Sequence, residues 1–425
     1  MPTSFLRRGL LFVSSVFPSI SPSGNSEMAS LKEVDVLIVG GGLSGLLTAY
    51  RLLVDHYPQA LTAHSVSPFP SIKIIEARKR LGGRICAVAG VDVGGSWTWP
   101  SKYSDVALTA LARELGVSAF PQPAEGNMIM ERSGRFTQMD GRGESACGSN
   151  GFRFRGTATS LTSAIEERLK TAQVEFITGA AATSISSRTP DKRTVVEVQR
   201  QTGEAKDEHI FFSAKVVVLA APPRVLLKTI NFSPPLDPSQ EAIMASTPTW
   251  MADTAKIIAY FPAPVWKEKS LSGFCIMESG PMVQVWDASD EEEGIYALAG
   301  FAFGPDAKLL AADPLPTATV DGVLADSFDS LPPVVRRAVA QMDAVVGQAP
   351  IRVSWKSWQD EPWTGAGLEL KGQGAVGHPG LRKIKDDSIV FTGTETEQEH
   401  GHLEGAVKSG VRAAEEVFEL LNTQS

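Results

Sequence analysis

Three closely spaced glycines and a later carboxylate suggest the chemistry of this chain most directly. Gly40, Gly42 and Gly45 make the pattern G-x-G-x-x-G. In this pattern the first glycine permits a tight turn, the second lets backbone approach a diphosphate, and the third lets a helix pack closely on a strand. Glu76 follows, and a carboxylate in that position can accept hydrogen bonds from ribose hydroxyls. These residues predict a dinucleotide site.

The glycines need a strand before them and a helix after them, and the surrounding sequence supplies both. Residues 34–39 are a nearly continuous apolar run, typical of a buried parallel strand. Residues 46–53 have an apolar face at helical spacing that ends before a proline. Residues 72–75 form the next apolar run, with Glu76 at its end. The order predicts a β-α-β unit with a long connection, rich in Pro and Ser, at residues 56–71.

The segment after Glu76 carries basic residues that an NAD site does not need. The run E-A-R-K-R-L-G-G-R places Arg78, Arg80 and Arg84 around a second glycine pair, which ends at Gly83. Guanidinium groups donate charge-assisted hydrogen bonds that suit a diphosphate. The run resembles the E-x-R-x-R-x-G-G-R segment of the flavin-containing amine oxidase family, which includes the monoamine oxidases. This resemblance implies FAD as the cofactor.

Two further segments resemble this family. Residues 92–97 read D-V-G-G-S-W, which implies that Gly95 and Ser96 lie along the flavin. Residues 251–266 are similar to a substrate-domain strand that carries a buried lysine, and Lys256 takes the place of that lysine. The resemblance implies that Lys256 holds a water molecule against flavin N5, a role that suits a flexible donor whose pKa shifts on burial. Without the resemblance, Lys256 could be a surface lysine on an edge strand.

The C-terminal region completes the resemblance. G-T-E is followed by L-E-G-A-V-K-S-G-V-R-A-A, which is similar to the closing motif of the family. The resemblance implies that Gly393 and Glu395 lie near the ribityl and phosphate groups of FAD. It also implies that a helix starting at Leu403 points its N-terminus at the flavin, where the helix dipole stabilises negative charge.

The predicted approach to the flavin ring differs from that of monoamine oxidases. Those enzymes carry a cysteine that binds the flavin covalently, next to an aromatic residue. The resemblance of residues 351–367 to this region puts Pro362 at the cysteine and Trp363 at the aromatic residue. FAD is therefore expected to be bound non-covalently. His402 stands where monoamine oxidases commonly have a tyrosine, so a pair of Trp363 and His402 is expected to guide the amine to the flavin.

The chain is also shorter than the family pattern in one region. About thirty residues, 119–152, stand where family members carry a longer helical subdomain that roofs the substrate cavity. Their sequence predicts a hairpin and a Gly/Ser-rich loop. A reduced roof is compatible with an open pocket, with a bulky substrate, or with a wall supplied by a partner such as a second copy in a homodimer. It is equally compatible with an incomplete gene model or a lost activity.

Charge and composition exclude several other classes of function. The formal net charge is −8, and the chain lacks the clustered Lys and Arg that nucleic acids or anionic membranes require. Cys86, Cys147 and Cys275 are too far apart for a CxxC motif, and their number is odd. His400 and His402 form H-x-H, but no Cys or carboxylate cluster completes a ligand set nearby. No metal site is predicted.

The first residues of the chain leave three interpretations open. Residues 1–32 are rich in Ser, contain Arg7 and Arg8, and have no acid before Glu27. They fit a mitochondrial transit peptide, a short secretory signal, or an extension that precedes a true start at Met28. Cytoplasmic, mitochondrial and secreted locations therefore all stay open. No later apolar run approaches the ~18 residues that a membrane span needs.

Further elements are predicted from periodicity and turn residues. They are helices at 158–170, in two pieces within 322–341 broken at Pro332-Pro333, and at 403–417, with strands at 174–177, 195–198, 209–212, 215–220 and 388–391.

The sequence thus predicts an α/β protein in which a doubly wound, Rossmann-like FAD domain carries an inserted β-rich substrate domain. The predicted FAD domain comprises residues 33–105, 152–225 and 385–421, and the substrate domain residues 106–151 and 226–384. The expected reaction is oxidation of the C–H bond next to an amine nitrogen, with oxygen as acceptor and hydrogen peroxide as product. Two alternatives are an FAD-dependent dehydrogenase or desaturase of a non-amine substrate, and a flavin-binding protein without turnover.

Overall fold

A computed structural model describes most of the chain after the first thirty residues. The described residues are 31–61, 69–100, 105–141, 147, 150–186, 191–201, 207–312, 322–326, 328, 331–359, 361–365, 377–382, 388–398 and 402–423. The interpretations of residues 1–30 and the role of His400 lie outside them.

The described strands and helices are as follows. The strands are β1 (Lys32–Val39), β2 (Ile72–Glu76), β3 (Ala87–Val88), β4 (Val91–Asp92), β5 (Trp97–Thr98), β6 (Ala119–Pro121), β7 (Asn127–Arg132), β8 (Arg135–Met139), β9 (Phe152–Phe154), β10 (Glu175–Thr178), β11 (Ala180–Ser186), β12 (Thr194–Arg200), β13 (Glu208–Leu219), β14 (Asn231–Ser233), β15 (Thr254–Phe261), β16 (Leu271–Met277), β17 (Gln284–Asp287), β18 (Tyr296–Phe303), β19 (Val323–Ala325), β20 (Arg352–Ser357) and β21 (Ile389–Phe391). The helices are α1 (Leu43–Arg51), α2 (Val106–Leu115), α3 (Thr159–Thr171), α4 (Pro223–Thr229), α5 (Pro238–Ser246), α6 (Val265–Glu268), α7 (Gly304–Ala312), α8 (Pro333–Val346) and α9 (Leu403–Thr423).

The first of two large sheets carries the predicted β-α-β unit. Its strand order is β10-β2-β1-β13-β12-β11-β14, and β21 pairs with β13. Strands β2, β1, β13 and β21 run parallel, with β1 between β2 and β13. Val36 and Ile38 pack under α1, α2, α3 and α9, whereas Leu37 and Val39 pack on the opposite face in a cluster formed by β11, β12, β13, α4 and α5. Both faces of β1 are therefore buried, as expected of a strand in a doubly wound α/β sheet.

The second sheet is mostly antiparallel. Its order is β19-β20-β15-β18-β17-β16-β7-β8, and β16 with β7 is a parallel pair. All eight residues of β15 are buried. Ile257 and Ala259 join the core under α7 and α8, whereas Ile258 and Tyr260 face the loop at residues 86–93 of the first half. Since side chains alternate along a strand, Lys256 lies on the face turned toward the first sheet.

Several predicted elements differ from the structure. The strands predicted at 209–212 and 215–220 are one strand, β13, because its residues 208–214 pair with β12 and its residues 212–219 pair with β1, so the two pairings overlap across the predicted break. The first of the two helices predicted in 322–341 is wrong, since Val323–Ala325 is a strand that pairs with β20, and the second is α8. The hairpin predicted within 119–152 is confirmed as β7 and β8.

Two segments that were predicted to belong to the substrate domain pack with the first sheet and its helices. The apolar face of α2 is buried with α1, α3 and α9, although residues 106–151 were assigned to the substrate domain. Likewise β14 and α5 belong with the first sheet, because β14 pairs with β11 and Met244 packs in the core beneath it. Among the described residues, no helix is long and apolar enough to cross a membrane.

Candidate active site

A cavity of about 350 Å³ opens between the two sheets. Its lining residues come from the ends of β1 and β2, from the start of α9 and from β15, β17 and β18. The lining residues form two groups. The glycine end is formed by Gly40, Gly42, Glu76, Arg78 and Gly83, and the aromatic end by Trp97, Trp99, Trp250, Phe301, Phe303 and His402.

The glycine end is built where β1 passes into α1. Gly40 has a φ of +115°, and Gly42 starts the helix with no side-chain cap. A Cβ on Gly45 would lie 2.1 Å from the Gly40 carbonyl oxygen, so only glycine lets α1 approach β1 this closely. The first N–H groups of α1 therefore meet the cavity without a side-chain acceptor, an arrangement that suits a phosphate group.

The second glycine pair lies directly beside the first. Gly82 N donates to Gly41 O at 2.8 Å, and a Cβ on Gly83 would lie 3.1 Å from Gly42 Cα. The Arg80 guanidinium fixes this loop by donating to three of its carbonyl oxygens at 3.0–3.1 Å. The two glycine turns together present bare backbone to the cavity.

Glu76 and Arg78 are buried, and both side chains are bonded within the protein. Glu76 Oε2 accepts from Gly41 N at 2.9 Å, and its Oε1 accepts from Arg78 N at 2.9 Å. Arg78 donates through Nε and Nη2 to the two carboxylate oxygens of Glu361, at 2.8 and 2.5 Å. Arg78 thus anchors the turn at residues 361–365 to the end of β2, whereas the sequence assigned its guanidinium to a diphosphate.

Removing the charge of Glu361 is expected to destabilise the protein strongly. Glu361→Gln removes the charge of the carboxylate that binds Arg78 Nε and Nη2 and leaves only the longer contact of Nη1 with Glu76 Oε1, at 3.4 Å. Breaking a buried ion pair typically costs about 3–5 kcal/mol. Urea unfolding of the variant measures this loss in the free energy of unfolding. Glu167→Gln is the control, because Glu167 pairs with Lys170 on the exposed surface of α3 and its loss is expected to change little. Equal effects of the two substitutions would contradict the assigned role of the Arg78–Glu361 pair.

Arg84 and Glu395 form another ion pair at the cavity. Arg84 Nη1 lies 2.8 Å from Glu395 Oε1, and Nη2 donates to Oε2 at 3.1 Å. The turn that holds Glu395 begins at Gly393, whose φ is +130° and whose N–H donates to Ser409 Oγ at 3.1 Å. Since Ser409 is in α9, this pair connects the glycine loop of the first half to the last helix.

Lys256 lies at the junction of the two sheets and is only 1% exposed. Its Nζ donates to Gly94 O at 2.6 Å, to Ser96 Oγ at 2.7 Å and to Asp92 O at 3.4 Å. Burial lowers the pKa of Lys256 to about 8, while the charge of Asp92 opposes that shift and the charge of Arg153 adds to it. The alternative of an exposed lysine on an edge strand is therefore wrong, because β15 is paired on both sides.

Three aromatic rings surround the Lys256 ammonium. Nζ lies 5.2 Å from the ring centroid of Trp97, 5.3 Å from that of Trp286 and 5.5 Å from that of Phe301. Cation–π attraction of this kind favours a charged amine in an apolar setting. The rings therefore offset part of the cost of burying the charge, and Trp97 and Phe301 also line the cavity.

The start of α9 meets the segment that Lys256 binds. A Cβ on Gly95 would lie 3.1 Å from Leu403 Cδ2, so these two predicted site residues are adjacent. Glu404 is in the first turn of α9, but its carboxylate accepts from Ala107 N and Leu108 N at the start of α2, at 3.2 and 2.7 Å. Because the Glu404 carboxylate is bound to α2, it does not neutralise the positive end of the α9 helix dipole. Leu403, at this end of α9, lines the cavity.

The family model described as flavin containing amine oxidoreductase matches residues 43–153 and 141–418. The chain belongs to this family. The two matched segments meet at residues 141–153, inside the region where the sequence predicts a shortened roof.

Individual relatives of this flavin-containing amine oxidoreductase are distant but cover most of the chain. Flavin-containing amine oxidase B of Homo sapiens is 22% identical over 90% of this chain and 86% of its own length. A probable flavin-containing monoamine oxidase A of Dictyostelium discoideum is 22% identical over 92% of this chain and 99% of its own length. The fold is similar to wild-type putrescine oxidase bound to putrescine, with a TM-score of 0.67, 19% identity and coverage of 92% and 100%. It is equally similar to cyclohexylamine oxidase from Brevibacterium oxydans IH-35A, with a TM-score of 0.67, 17% identity and coverage of 92% and 99%.

FAD is the cofactor of this family, and the cavity of this amine oxidoreductase suits it. The uncapped start of α1 and the bare backbone of Gly42 and Gly83 can hold a diphosphate. Glu76 lies at the end of β2, and its carboxylate has room for one more donor besides Gly41 N, Arg78 N and Arg78 Nη1. The residues at the glycine end therefore fit the dinucleotide part of the cofactor.

Trp363 and His402 both line the cavity, and their expected pairing against the flavin stays a prediction. Trp363 N donates to Glu361 Oε2 at 3.1 Å, which places Trp363 with Arg78 at the glycine end. Two ring neighbours of His402 are Trp99, with centroids 5.1 Å apart, and Trp250, 6.1 Å away. The buried Arg78–Glu361 pair holds the turn that carries Trp363 against the end of β2.

Trp99, Trp250, Phe301 and Phe303 are cavity residues that the sequence analysis did not predict. Trp99 stands two residues beyond the D-V-G-G-S-W segment, and its Nε1 donates to Cys147 O at 2.7 Å. Trp250 precedes β15, and its carbonyl oxygen accepts from Arg84 Nη1 at 3.4 Å. The only available signal for the two tryptophans was their position next to two segments that resemble the family, since isolated tryptophans are equally common in cores.

Proposed function

We propose that this protein is an FAD-dependent amine oxidase that converts an amine to an imine, with oxygen as the acceptor and hydrogen peroxide as a product. The observation that carries the proposal is the position of Lys256. Its amine is buried between the Gly94–Ser96 segment and the aromatic end of the cavity, which also contains the glycine end. When bound, FAD supplies the two-electron acceptor that takes a hydride equivalent from the carbon next to the amine nitrogen and is reoxidised by oxygen.

The side chains of the protein bind, orient and shield in this proposal. Lys256 is proposed to hold a water molecule at flavin N5, and the start of α9 at Leu403 to stabilise negative charge on the ring. His402, between Trp99 and Trp250, forms a wall of the substrate space. The proton of the substrate ammonium leaves either to solvent or to the His402 imidazole. Pro362 stands where monoamine oxidases have their cysteine, so we propose that FAD is held non-covalently.

The aromatic end favours an amine with an apolar body. Trp97, Phe301 and Phe303 form a continuous set of rings, with centroids 6.1 and 5.6 Å apart. Among the described lining residues, Glu76 is the carboxylate, and it belongs to the glycine end. A diamine would have to bury its second ammonium in the rings without a counter-charge, which is costly. One similar structure is an oxidase named for a diamine, and another is an oxidase named for a cyclic monoamine. The similar structures therefore do not distinguish monoamines from diamines as substrates, and the preference proposed here rests on the cavity.

A panel of amines tests the reaction and the substrate class together. The holoenzyme is mixed without oxygen with 2-phenylethylamine, cyclohexylamine, putrescine, spermidine and an amino acid, and the loss of flavin absorbance is followed. Apolar monoamines are expected to reduce the flavin with a second-order rate constant, the reduction rate divided by Kd, at least about 10-fold above that of putrescine, which corresponds to ~1.4 kcal/mol of discrimination. Oxygen is then admitted, and hydrogen peroxide is measured.

Each contrary result has a distinct meaning. Faster reduction by putrescine would overturn the apolar substrate class but keep the amine oxidase. A flavin spectrum that no amine changes would overturn the amine oxidase itself. It would favour a non-amine substrate or a flavin-binding protein without turnover.

A further inference from the structure

Four buried charged side chains lie beside the cavity, two on β15 and β17 of the second sheet and two on the short strands β4 and β9. Lys256, Asp92, Arg153 and Asp287 are each at most 7% exposed. Asp92 interacts electrostatically with both cations, and Arg153 interacts with both of these carboxylates. Their signs therefore alternate from β15 through β4 and β9 to β17, and a substitution at one position changes the electrostatic environment of the next.

Asp92 lies between the start of a helix and Lys256. Its two carboxylate oxygens accept from Ala158 N, just before α3, at 3.1 and 3.3 Å. Its backbone carbonyl oxygen accepts from Lys256 Nζ at 3.4 Å. The hydrogen bond to the Asp92 carbonyl oxygen helps to fix the position of Lys256. The Asp92 carboxylate accepts no described hydrogen bond from Lys256, so it acts on the ammonium through its negative charge.

We propose that Asp92 is a positioning residue for the oxidation, the counter-charge that keeps the Lys256 amine protonated and directed at Gly94 and Ser96. This proposal rests on the proposed function of Lys256. It adds to that function a second residue, which acts through Lys256 rather than on the substrate or the cofactor.

The electrostatics of the pair support this assignment. Burial lowers the pKa of Lys256 to about 8, and Asp92 is the group that opposes this fall. Burial also raises the pKa of Asp92 to about 7, against the charges of Lys256 and Arg153. Without the carboxylate, Arg153 would be the remaining charge acting on Lys256, and it lowers the pKa further. Lys256 would then lose its proton at a lower pH.

The other charged groups nearby have partners of their own. Arg153 faces Asp287, Asp290 and Cys147 as well as Asp92, and it donates to the carbonyl oxygens of Ala288 and Ser289. Lys356 is opposite Lys256 on β20, but its charge interacts with Glu361, Cys86, Arg80 and Arg78, and its ammonium lies 4.5 Å from the Trp358 ring centroid.

The pH dependence of flavin reduction tests the proposal. Asp92→Asn keeps an oxygen that can accept from Ala158 N but removes the charge. If reduction needs protonated Lys256, the rate falls as pH rises through the pKa of Lys256. The midpoint of that alkaline limb is expected to move down by at least about one pH unit in the variant. Asp92→Glu is expected to restore the wild-type midpoint. Asp287→Asn removes a carboxylate on the far side of Arg153 and is expected to leave the midpoint unchanged.

Thermal unfolding provides a readout that does not depend on turnover. The pKa of Asp92 is raised in the folded protein, so the stability that its protonated form contributes is present at acidic pH. That stability is lost as pH rises toward about 7. The melting temperature of Asp92→Asn relative to wild type should therefore increase between pH 5 and pH 8. When both proteins also carry Lys256→Met, this increase in the melting-temperature difference should occur at higher pH. Loss of the Lys256 charge raises the pKa of Asp92 further, because that charge lowers it in the wild type.

The outcomes separate the two proposals. An unmoved alkaline limb in Asp92→Asn, or additive effects of Asp92→Asn and Lys256→Met on the pH dependence of melting, would overturn the role of Asp92. If no amine reduces the flavin, the proposed function fails, and the melting experiment alone decides whether Asp92 and Lys256 are coupled.

Discussion

Lys256→Met is expected to slow anaerobic reduction of the bound flavin by at least about 100-fold, an effect typical of removing a group that handles protons at a reacting centre. Methionine has a similar length but cannot donate to Gly94 O or Ser96 Oγ, which now accept from Nζ at 2.6 and 2.7 Å. The glycine end is untouched by the change, so FAD should stay bound. Stopped-flow absorbance measures the reduction, and the visible spectrum measures the FAD content.

A second buried lysine provides the matched control for this experiment. Lys356 is the residue opposite Lys256 in the β15–β20 pair, and it is also buried, but it lies against Trp358. Lys356→Met should therefore change the reduction rate far less. Equal slowing by the two substitutions would indicate a general effect of removing a buried charge. An unchanged rate in Lys256→Met would end the catalytic assignment.

Gly42→Ala is expected to weaken FAD binding by at least about 10-fold while leaving the apoprotein about as stable as wild type. Gly42 has a φ of −76°, which alanine adopts freely, and its added Cβ would meet only Gly83 Cα, at 3.9 Å. The protein therefore has room for the methyl group, but that group occupies the surface on which a diphosphate must lie. A factor of ten in affinity corresponds to ~1.4 kcal/mol.

Gly45→Ala is the contrasting variant in the same motif. Its Cβ would lie 2.1 Å from Gly40 O and 3.0 Å from Ala220 Cβ, so α1 would have to move away from β1. Overpacking of this kind typically costs about 1–3 kcal/mol of folding stability. Titration of FAD-free protein with FAD, together with urea unfolding, separates the two effects. The interpretation fails if Gly42→Ala binds FAD as tightly as wild type, or if both variants lose the same stability.

The parts of the site that the sequence predicted are those built from neighbouring residues. The turn at Gly40–Gly45 and the strand that ends at Glu76 follow from local spacing, because a strand, a glycine turn and a helix are joined within one short segment. Resemblance then placed Lys256 on β15, and the alternation of side chains turned it toward Ser96. These features needed no knowledge of distant contacts.

The parts that the sequence did not predict depend on distant pairs. Arg78 looked like a ligand for phosphate because its partner Glu361 is 283 positions away in the chain. That pair also anchors the turn that carries Trp363, whose N–H donates to Glu361 Oε2. The sequence gives the order of residues, but it does not show which buried charged side chains will pair. The same limit applies to β13, where pairing with two neighbouring strands overrode the predicted break.

The packing of α9 has a consequence for how the protein is made. The glycine turn lies near the N-terminus, yet α9 packs along α1 and its turn at Gly393–Glu395 binds Arg84 through Glu395. Strand β21, which precedes that turn, pairs with β13 beside β1. On the ribosome α9 emerges long after the glycine turn, so the dinucleotide site is complete only when the segment through α9 has been synthesised. We therefore expect FAD to bind after α9 has been made, and a chain that stops short of α9 to expose the incomplete glycine end to proteases and chaperones.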